Sequence, residues 1–174
     1  ALPPAARSRV ALGLTAAAAI GHFELQTCKA CGAVQYPPRE ACHRCLSVHL
    51  QWRAQSDEGE LLARTTLFHS NEPFFRQRLP LSIGLVRLEC GPSVVAHLHG
   101  PLTSPGMSVR VRLYLDRSGS AVLVAFPAEE VSTVVDELSC DPRSRKVVVT
   151  DATSASGVAL VHALSAAGAS TVWA

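Results

Sequence analysis

Four of the six cysteines lie in two CxxC pairs near the N-terminus of the chain. Cys28 and Cys31 form CKAC, Cys42 and Cys45 form CHRC, and residues 32–41 separate the pairs. Both sulfurs of a CxxC turn can face one point, so two such turns supply four thiolates at tetrahedral geometry, which suits Zn²⁺. Because four protein ligands leave no open coordination position, the spacing predicts a structural rather than a catalytic zinc ion.

Two other chemistries stay open for these cysteines. Two disulfides in a secreted domain would also use all four thiols, and iron can replace zinc among four sulfurs. The two cysteines outside the cluster, Cys90 and Cys140, are predicted to be buried small apolar residues rather than reactive thiols.

The compartment is inferred from the same chemistry. A reduced tetrathiolate centre favours a cytoplasmic protein. Arg7 and Arg9, followed by the apolar run 10–20, are weakly similar to a signal peptide. We predict instead a helix with Ser8 as its N-cap, because the run is rich in alanine. Since the sequence begins with Ala1 rather than methionine, we expect that something upstream is missing or was removed.

The composition excludes several classes of protein. The 174 residues are 48% hydrophobic and 17% charged, which is enough to build the core of one ordinary domain or two small ones. Aromatic residues make up only 5%, which argues against an extended base-stacking surface. The net charge is +2, and no run of like charges suggests a nucleic-acid arm or an acidic tail. No apolar run is long enough to span a bilayer.

The elements that follow the cysteines are predicted to be mainly β. Five strand-like segments are separated by Gly- and Pro-containing turns: 61–68, 79–89, 93–99, 108–115 and 121–126. Their close spacing predicts a small five-stranded barrel. Gly84 is a candidate for a bulge or bend in its strand. The clean alternation in 108–115 places Val109, Val111, Leu113 and Leu115 on one face of a strand, with Arg110, Arg112 and Tyr114 on the other.

The stretch 21–130 resembles the domain of unknown function 35 family. The resemblance is carried by CKACGAVQYPPREACHRCLS, residues 28–47, and by the later segments LPLSIGLVRLE and PGMSVRVRLYL. It implies a rubredoxin-like zinc ribbon followed by an OB-fold. We therefore divide the chain into an N-terminal helical segment (1–20), a zinc ribbon (21–50), an OB-fold (51–130), a linker (131–145) and a partial Rossmann-like βαβ segment (146–174).

What the resemblance implies is an accessory role rather than catalysis. Members of the family look like noncatalytic partners of thiolase-like enzymes, including lipid-transfer-protein-type aldolases and acyltransferases, or of hydratases that act on CoA thioesters. The resemblance therefore implies a hetero-oligomer in acyl-CoA and lipid metabolism. The lack of a long apolar run, and not the resemblance, is the reason that we expect no membrane partner. In such complexes the ribbon and the barrel help to dock the partner and to shape its acyl-CoA entrance.

An aromatic and basic segment could contact CoA. Arginine beside aromatic faces can hold an adenine ring and phosphates. The candidate residues are Phe74, Phe75, Arg76 and Arg78, with Arg110 and Arg112 on the outer face of a strand. The alternative is that they form an ordinary surface loop with one buried Phe and a solvated strand face. His97 and His99 share a strand face, and a solvent-facing or core-edge pair is preferred there over a second metal site or a catalytic base.

The last segment, 146–174, resembles the start of a short-chain dehydrogenase/reductase. Where that family has TGxxxGxG, this chain has TDATSASG, so Asp151 and Ala155 replace two glycines and only Gly157 remains. The glycines let the backbone approach a pyrophosphate, and the Asp151 carboxylate would repel one. A Tyr-x-x-x-Lys motif is also excluded, because Tyr36 and Tyr114 are the chain's only tyrosines. We therefore do not expect this chain to bind NAD(P).

Three other functional readings are kept as alternatives. A lone strand–helix–strand unit cannot bury both faces of its sheet. The segment therefore suggests one of two things: packing against a partner, or a longer natural chain, which would be part of a reductase fusion that acts on CoA thioesters. The OB-fold raises single-stranded nucleic-acid binding. A stand-alone enzyme ranks last, because no Ser/His/Asp set, paired carboxylates or open metal site is evident.

Overall fold

The structure is a computed structural model that describes residues 8–129 and 142–174. These residues belong to two compact units, Ala1–Ser139 and Cys140–Ala174, which are considered separately below. Cys140 and most of the predicted linker lie outside the described residues. Among the residues described, no helix has the length and apolar character needed to cross a bilayer.

The first unit begins with the predicted helix. Ser8 is its N-cap, and the Ser8 hydroxyl accepts a hydrogen bond from the backbone N–H of Val10 at 3.4 Å. A 3₁₀ turn over Arg9–Ala11 leads into α1, Leu12–Ala19. The buried side chains of this helix, Leu14, Ala17 and Ala18, join the main core of the unit.

The cysteine-bearing segment forms a small antiparallel sheet. Its strands are β1 (Glu24–Cys28), β2 (Val34–Gln35) and β3 (Leu50–Ala54), in the order β2-β1-β3. Since β3 pairs with β1 along its whole length, the ribbon sheet extends beyond residue 50, where the sequence had placed its end.

The predicted five-stranded barrel is confirmed. Its strands are β4 (Glu58–Leu67), β5 (Leu81–Leu88), β6 (Ser93–Leu98), β7 (Ser108–Leu115) and β8 (Ala121–Pro127), and a short helix α2 (Pro73–Arg76) lies between β4 and β5. The barrel closes in the order β4-β5-β6-β8-β7. The β6–β8 pair is parallel and the other pairs are antiparallel. This is the strand order of an OB-fold.

One core joins the helix, the ribbon and the barrel. Val109, Val111 and Leu113 point inward from β7, as the alternation predicts, and they belong to the same buried cluster as Leu14 of α1 and Leu25 of β1. Burial of about 25 cal/mol per Å² of apolar surface favours this joint core. The ribbon is therefore packed on the barrel through shared side chains.

The predicted bulge at Gly84 is wrong. The register shift lies in the partner strand β4, between Leu61 and Ala63. Gly84 instead faces the barrel interior, where an added Cβ would lie within 3 Å of the side chains of Leu98 and Leu61. The glycine is thus required by close packing rather than by a bulge.

The second unit is a strand–helix–strand motif. β9 (Lys146–Val148) and β10 (Thr171–Trp173) pair in parallel, and α3 (Ala155–Ala166) lies between them in sequence. The predicted order of elements is therefore present. Large apolar side chains of this unit are exposed, namely Val148, Val158, Leu160 and Trp173.

Candidate metal centre and its surroundings

Each CxxC pair is folded by the same two backbone hydrogen bonds. In the first turn, the N–H of Cys28 donates to the carbonyl of Ala33 and the N–H of Gly32 donates to the carbonyl of Cys28, both at 2.9 Å. In the second turn, the N–H of Cys42 donates to Ser47 at 2.9 Å and the N–H of Leu46 donates to Cys42 at 3.0 Å. The two turns are structural repeats, as two zinc-binding knuckles require.

The fifth position of each turn adopts a left-handed backbone conformation. Gly32 has φ of 73° and Leu46 has φ of 60°. Glycine adopts this region freely, whereas a side chain makes it costly. The first knuckle therefore has the residue that suits the turn, and the second carries strain at Leu46.

The four sulfurs converge on one point. All of them lie within 4.8 Å of one another, with 3.6 Å between Cys28 and Cys45 and 3.7 Å between Cys31 and Cys42. A tetrahedral site with Zn–S bonds of about 2.3 Å places its sulfurs about 3.8 Å apart. The donor set therefore fits a structural zinc ion. All four thiols are free, which contradicts the disulfide alternative.

The backbone prepares two of these thiols to ionise. Burial raises the pKa of Cys28, but hydrogen bonds from the N–H groups of Cys31 and Ala30 outweigh it and lower the pKa to about 6. The backbone N–H of Cys45 is the chief cause that lowers the pKa of Cys42. These N–H donors are supplied by the CxxC turn itself, and they favour the thiolate form that binds metal.

The fourth thiol, Cys45, resists ionisation unless a cation is present. The N–H of Ser47 lowers the pKa of Cys45, but the neighbouring Cys31 thiol, desolvation and the other two thiols raise it to about 12. Negative charge on the sulfurs thus opposes ionisation of the fourth thiol. A divalent cation among the four sulfurs would remove this repulsion, so the site is chemically incomplete as a set of thiols alone.

A buried amide network supports the second knuckle. Gln26 Oε1 accepts hydrogen bonds from Gln35 Nε2 at 2.9 Å and from the backbone N–H of Arg39 at 2.8 Å. Gln35 Oε1 in turn accepts from the backbone N–H of His43 at 3.0 Å. His43, which lies between the ligands Cys42 and Cys45, is itself exposed. Nothing in the sequence pattern marks Gln26 and Gln35 as members of such a network, because glutamines are common in exposed strands and turns.

The predicted CoA-contact residues are separated into two groups. Phe74 is buried, the guanidinium of Arg78 lies 3.8 Å from its ring centre, and Nη1 of Arg78 donates to the Phe74 carbonyl at 2.8 Å. Arg110 pairs with Glu58 at 2.7 Å. Glu58 is the first residue of β4, whereas α2 comes after the end of β4 in the chain. The α2 residues and Arg110 therefore lie near opposite ends of that strand. Arg112 lies beside Arg110 on the outer face of β7.

Two of these predicted contact residues therefore make structural contacts within the chain. Arg78 stacks on and caps Phe74, and Arg110 is in an ion pair. Arg76 stays exposed, and Phe75 is half-buried against the ring of His97, with 6.3 Å between ring centres.

His97 of β6 and His99, which directly follows that strand, do not form a second metal site with other ligands. Within the described residues, the four cysteines are the one group of three or more possible ligands that lies close together. His99 packs against Phe126 at 5.3 Å, and burial lowers the pKa of His97. Cys90 is partly buried, and burial raises the pKa of its thiol, which suits the predicted inert role.

The loop before α3 is filled by the chain's own carboxylate. Asp151 Oδ1 accepts hydrogen bonds from the N–H and hydroxyl of Thr153 at 3.0 and 2.9 Å and from the N–H of Ser154 at 3.3 Å. A Cβ at Gly157 would collide with the Asp151 carbonyl, so this glycine is needed for the close approach of helix and loop. The N–H groups of Thr153 and Ser154, which could otherwise hold a diphosphate, thus already have an acceptor, which adds to the sequence argument against dinucleotide binding.

The first unit is, by its fold and its sulfur cluster, a zinc ribbon joined to an OB-fold. Family models agree with this class: the ChsH2 rubredoxin-like zinc ribbon domain matches residues 15–48, and the ChsH2 C-terminal OB-fold domain matches residues 52–113. The chain belongs to the DUF35 family.

Solved structures extend the comparison. The chain is similar to a protein in the structure titled "Ltp2-ChsH2(DUF35) aldolase", with 25% identity, a TM-score of 0.62, and coverage of 72% of this chain and 99% of that one. A DUF35-family protein of unknown function from Sulfolobus solfataricus is 14% identical, with a TM-score of 0.49 and coverage of 69% of this chain and 86% of that one. Curated proteins gave no match. The resemblance of residues 146–174 to a reductase is not confirmed by these comparisons.

Proposed function

We propose that this chain is a noncatalytic zinc-ribbon and OB-fold accessory component that docks a thiolase-like acyl-CoA enzyme, of the aldolase or acyltransferase type. The observation that carries the proposal is the likeness to the Ltp2-ChsH2(DUF35) aldolase structure, which spans 99% of the matched chain. In that title a DUF35 protein stands beside a second protein, Ltp2, in one aldolase. A hetero-oligomer with such a partner is the corresponding assembly for this chain.

The metal centre supports a structural rather than a chemical role. All four of its ligands are protein sulfurs, so a bound zinc ion has no position left for water or substrate. What zinc supplies is the fixed geometry of the two knuckles, which are too short to hold their shape by core burial alone. The ribbon can then present a rigid surface to another subunit.

Acyl-CoA is the proposed ligand of the assembled enzyme, and the cytoplasm its proposed compartment. The candidate contact residues on this chain remain Phe74, Phe75, Arg76, Arg78, Arg110 and Arg112. Of these, Arg76 and Phe75 are the best placed, because Arg78 and Arg110 already have partners within the chain.

One observation favours the reductase-fusion alternative. β9 and β10 are parallel with a helix between them, as at the start of a dinucleotide-binding fold. The Asp151 carboxylate counts against cofactor binding there. The exposed apolar side chains of this unit fit better with packing against further protein.

Co-purification from the native source tests the proposal. The tagged chain is captured, and co-purifying proteins are identified and counted by mass spectrometry, with a Cys31→Ser version as the matched control. The proposal predicts an equimolar thiolase-family subunit that is retained by the parent chain and lost with the control. A solitary chain that has reductase activity would contradict it and support the fusion alternative.

A further inference from the structure

A cleft of about 520 Å³ lies between the metal-binding ribbon and the barrel. One wall is the segment from Gly32 to Tyr36 together with Arg39, His43 and Arg44, and the other is the β5–β6 turn, Cys90 to Ser93. Its volume lies within the range of small-molecule sites, about 300–1,000 Å³. None of the predicted CoA-contact residues lines it.

The charge of the cleft has one sign. Its ionisable lining includes Arg39, Arg44 and His43 and contains no carboxylate. The guanidinium groups of Arg39 and Arg44 make no hydrogen bond or ion pair with any residue that the structure describes, and both are exposed. Two unpaired guanidinium groups on one concave surface are the usual means of binding phosphate.

The walls add features that suit a nucleotide. Val34, Tyr36 and Pro92 supply apolar surface beside the cations. The buried Gln26–Gln35 network holds the backbone of both Arg39 and His43, so the basic side chains are carried by fixed main chain. An organic phosphate with a flat ring meets complementary groups on both walls, whereas a bare anion would use only the arginines.

We propose that this cleft binds the phosphate-bearing nucleotide end of a CoA thioester, with Arg39 and Arg44 as the phosphate ligands. The inference rests on the proposed function for the choice of CoA, and it competes with the contact residues of α2 named there, of which Arg76 is exposed and Arg78 is already bonded to Phe74. The competing explanation is electrostatic. Four thiolates and Zn²⁺ carry a net charge of −2, and nearby arginines would offset it without any ligand.

Binding to the zinc-loaded full chain separates these explanations. Calorimetry is run with CoA, adenosine 3′,5′-bisphosphate and inorganic phosphate against the parent chain, Arg39→Gln, Arg44→Gln and the matched control Arg53→Gln. Arg53 is an exposed arginine on β3 outside the cleft. We expect CoA and the bisphosphate to bind the parent and the control alike, and each cleft variant to lose about tenfold or more in affinity. Inorganic phosphate is expected to bind more weakly than either nucleotide.

The result that overturns the proposal is equally specific. Absence of CoA binding by the parent chain, equal affinity for inorganic phosphate, unchanged affinity in both cleft variants, or a larger loss in Arg76→Gln would each contradict it. Zinc content and unfolding are measured for every variant, and a loss of zinc without any nucleotide binding would establish the electrostatic explanation. Partner capture is measured separately. A chain that binds CoA but captures no thiolase-family protein would refute the proposed function, whereas the proposal that the cleft binds CoA would be unaffected.

Discussion

Gln35 Oε1 lies 3.0 Å from the backbone nitrogen of His43 and 3.2 Å from its Nδ1. One side chain, only 2% exposed, thereby joins β2 to the knuckle that carries Cys42 and Cys45. The same amide donates through Nε2 to Gln26. The position of the second pair of sulfurs therefore depends on a neutral, buried hydrogen-bond network as well as on the metal.

Replacing Gln35 with leucine should weaken the ribbon strongly. Gln35→Leu leaves Gln26 and the N–H of His43 without these partners inside the protein, at a cost of about 2–3 kcal/mol in the free energy of unfolding. Denaturant unfolding of the zinc-loaded chain measures this loss. Gln51→Leu, a partly exposed glutamine on β3, is the control and should change stability little. Equal effects of the two substitutions would show that the network carries no special weight.

The left-handed residue of the second knuckle gives a prediction of opposite sign. Leu46→Gly should stabilise the chain by about 0.5–1 kcal/mol, because relief of backbone strain exceeds the entropic cost of glycine and Leu46 is 77% exposed. The reciprocal change Gly32→Ala should destabilise by about 1 kcal/mol. Thermal unfolding of both zinc-loaded variants tests the pair. Destabilisation by Leu46→Gly would mean that the Leu46 side chain has a role that its exposure conceals.

The contact of α1 with the ribbon is tested at Gly13. An added Cβ there would collide with the indole ring of Trp52 on β3. Gly13→Ala should therefore destabilise the chain, although alanine is favoured over glycine in a helix by about 1 kcal/mol. Equilibrium unfolding gives the sign directly. A gain in stability of the size that helix propensity predicts would contradict the packing of α1 on Trp52.

His97 should make the barrel sensitive to acid. Burial lowers its pKa from 6.5, so below that pH the unfolded chain binds a proton that the folded chain resists. The unfavourable contribution of His97 to the free energy of unfolding is absent above the pKa of the unfolded chain. It grows as the pH falls below that pKa. His97→Phe should lose less stability than the parent between about pH 7.5 and 5.5. An identical pH dependence in the variant and the parent would refute this role, with His69→Gln, an exposed histidine, as the control.

Prediction from sequence succeeded where the pattern was local. The CxxC spacing predicts the sulfur cluster, and the alternation in β7 predicts its buried face, because both depend on residues close in the chain. The contacts of Arg78 with Phe74 and of Arg110 with Glu58 could not be read in this way. They depend on how a short helix packs and on which strands pair across the barrel. For the same reason the cleft beside Arg39 was missed: its walls are separated by about half of the barrel sequence.

The wrong prediction at Gly84 has a similar cause. A glycine within a strand signals a bulge or close packing equally well, and only the positions of Leu61 and Leu98 decide between them.

Elemental analysis of the parent chain and of Cys31→Ser, together with their unfolding temperatures, decides whether the four cysteine sulfurs hold a structural zinc ion. We expect one zinc ion per parent chain. In the variant we expect that zinc to be lost, the ribbon to be unfolded and the unfolding temperature of the chain to fall markedly, because metal binding supplies much of the ribbon's folding energy. A variant that keeps stoichiometric zinc and the parent unfolding temperature would rule out a structural zinc site at these cysteines, as would a natively folded parent chain with no metal and its sulfurs oxidised to one another.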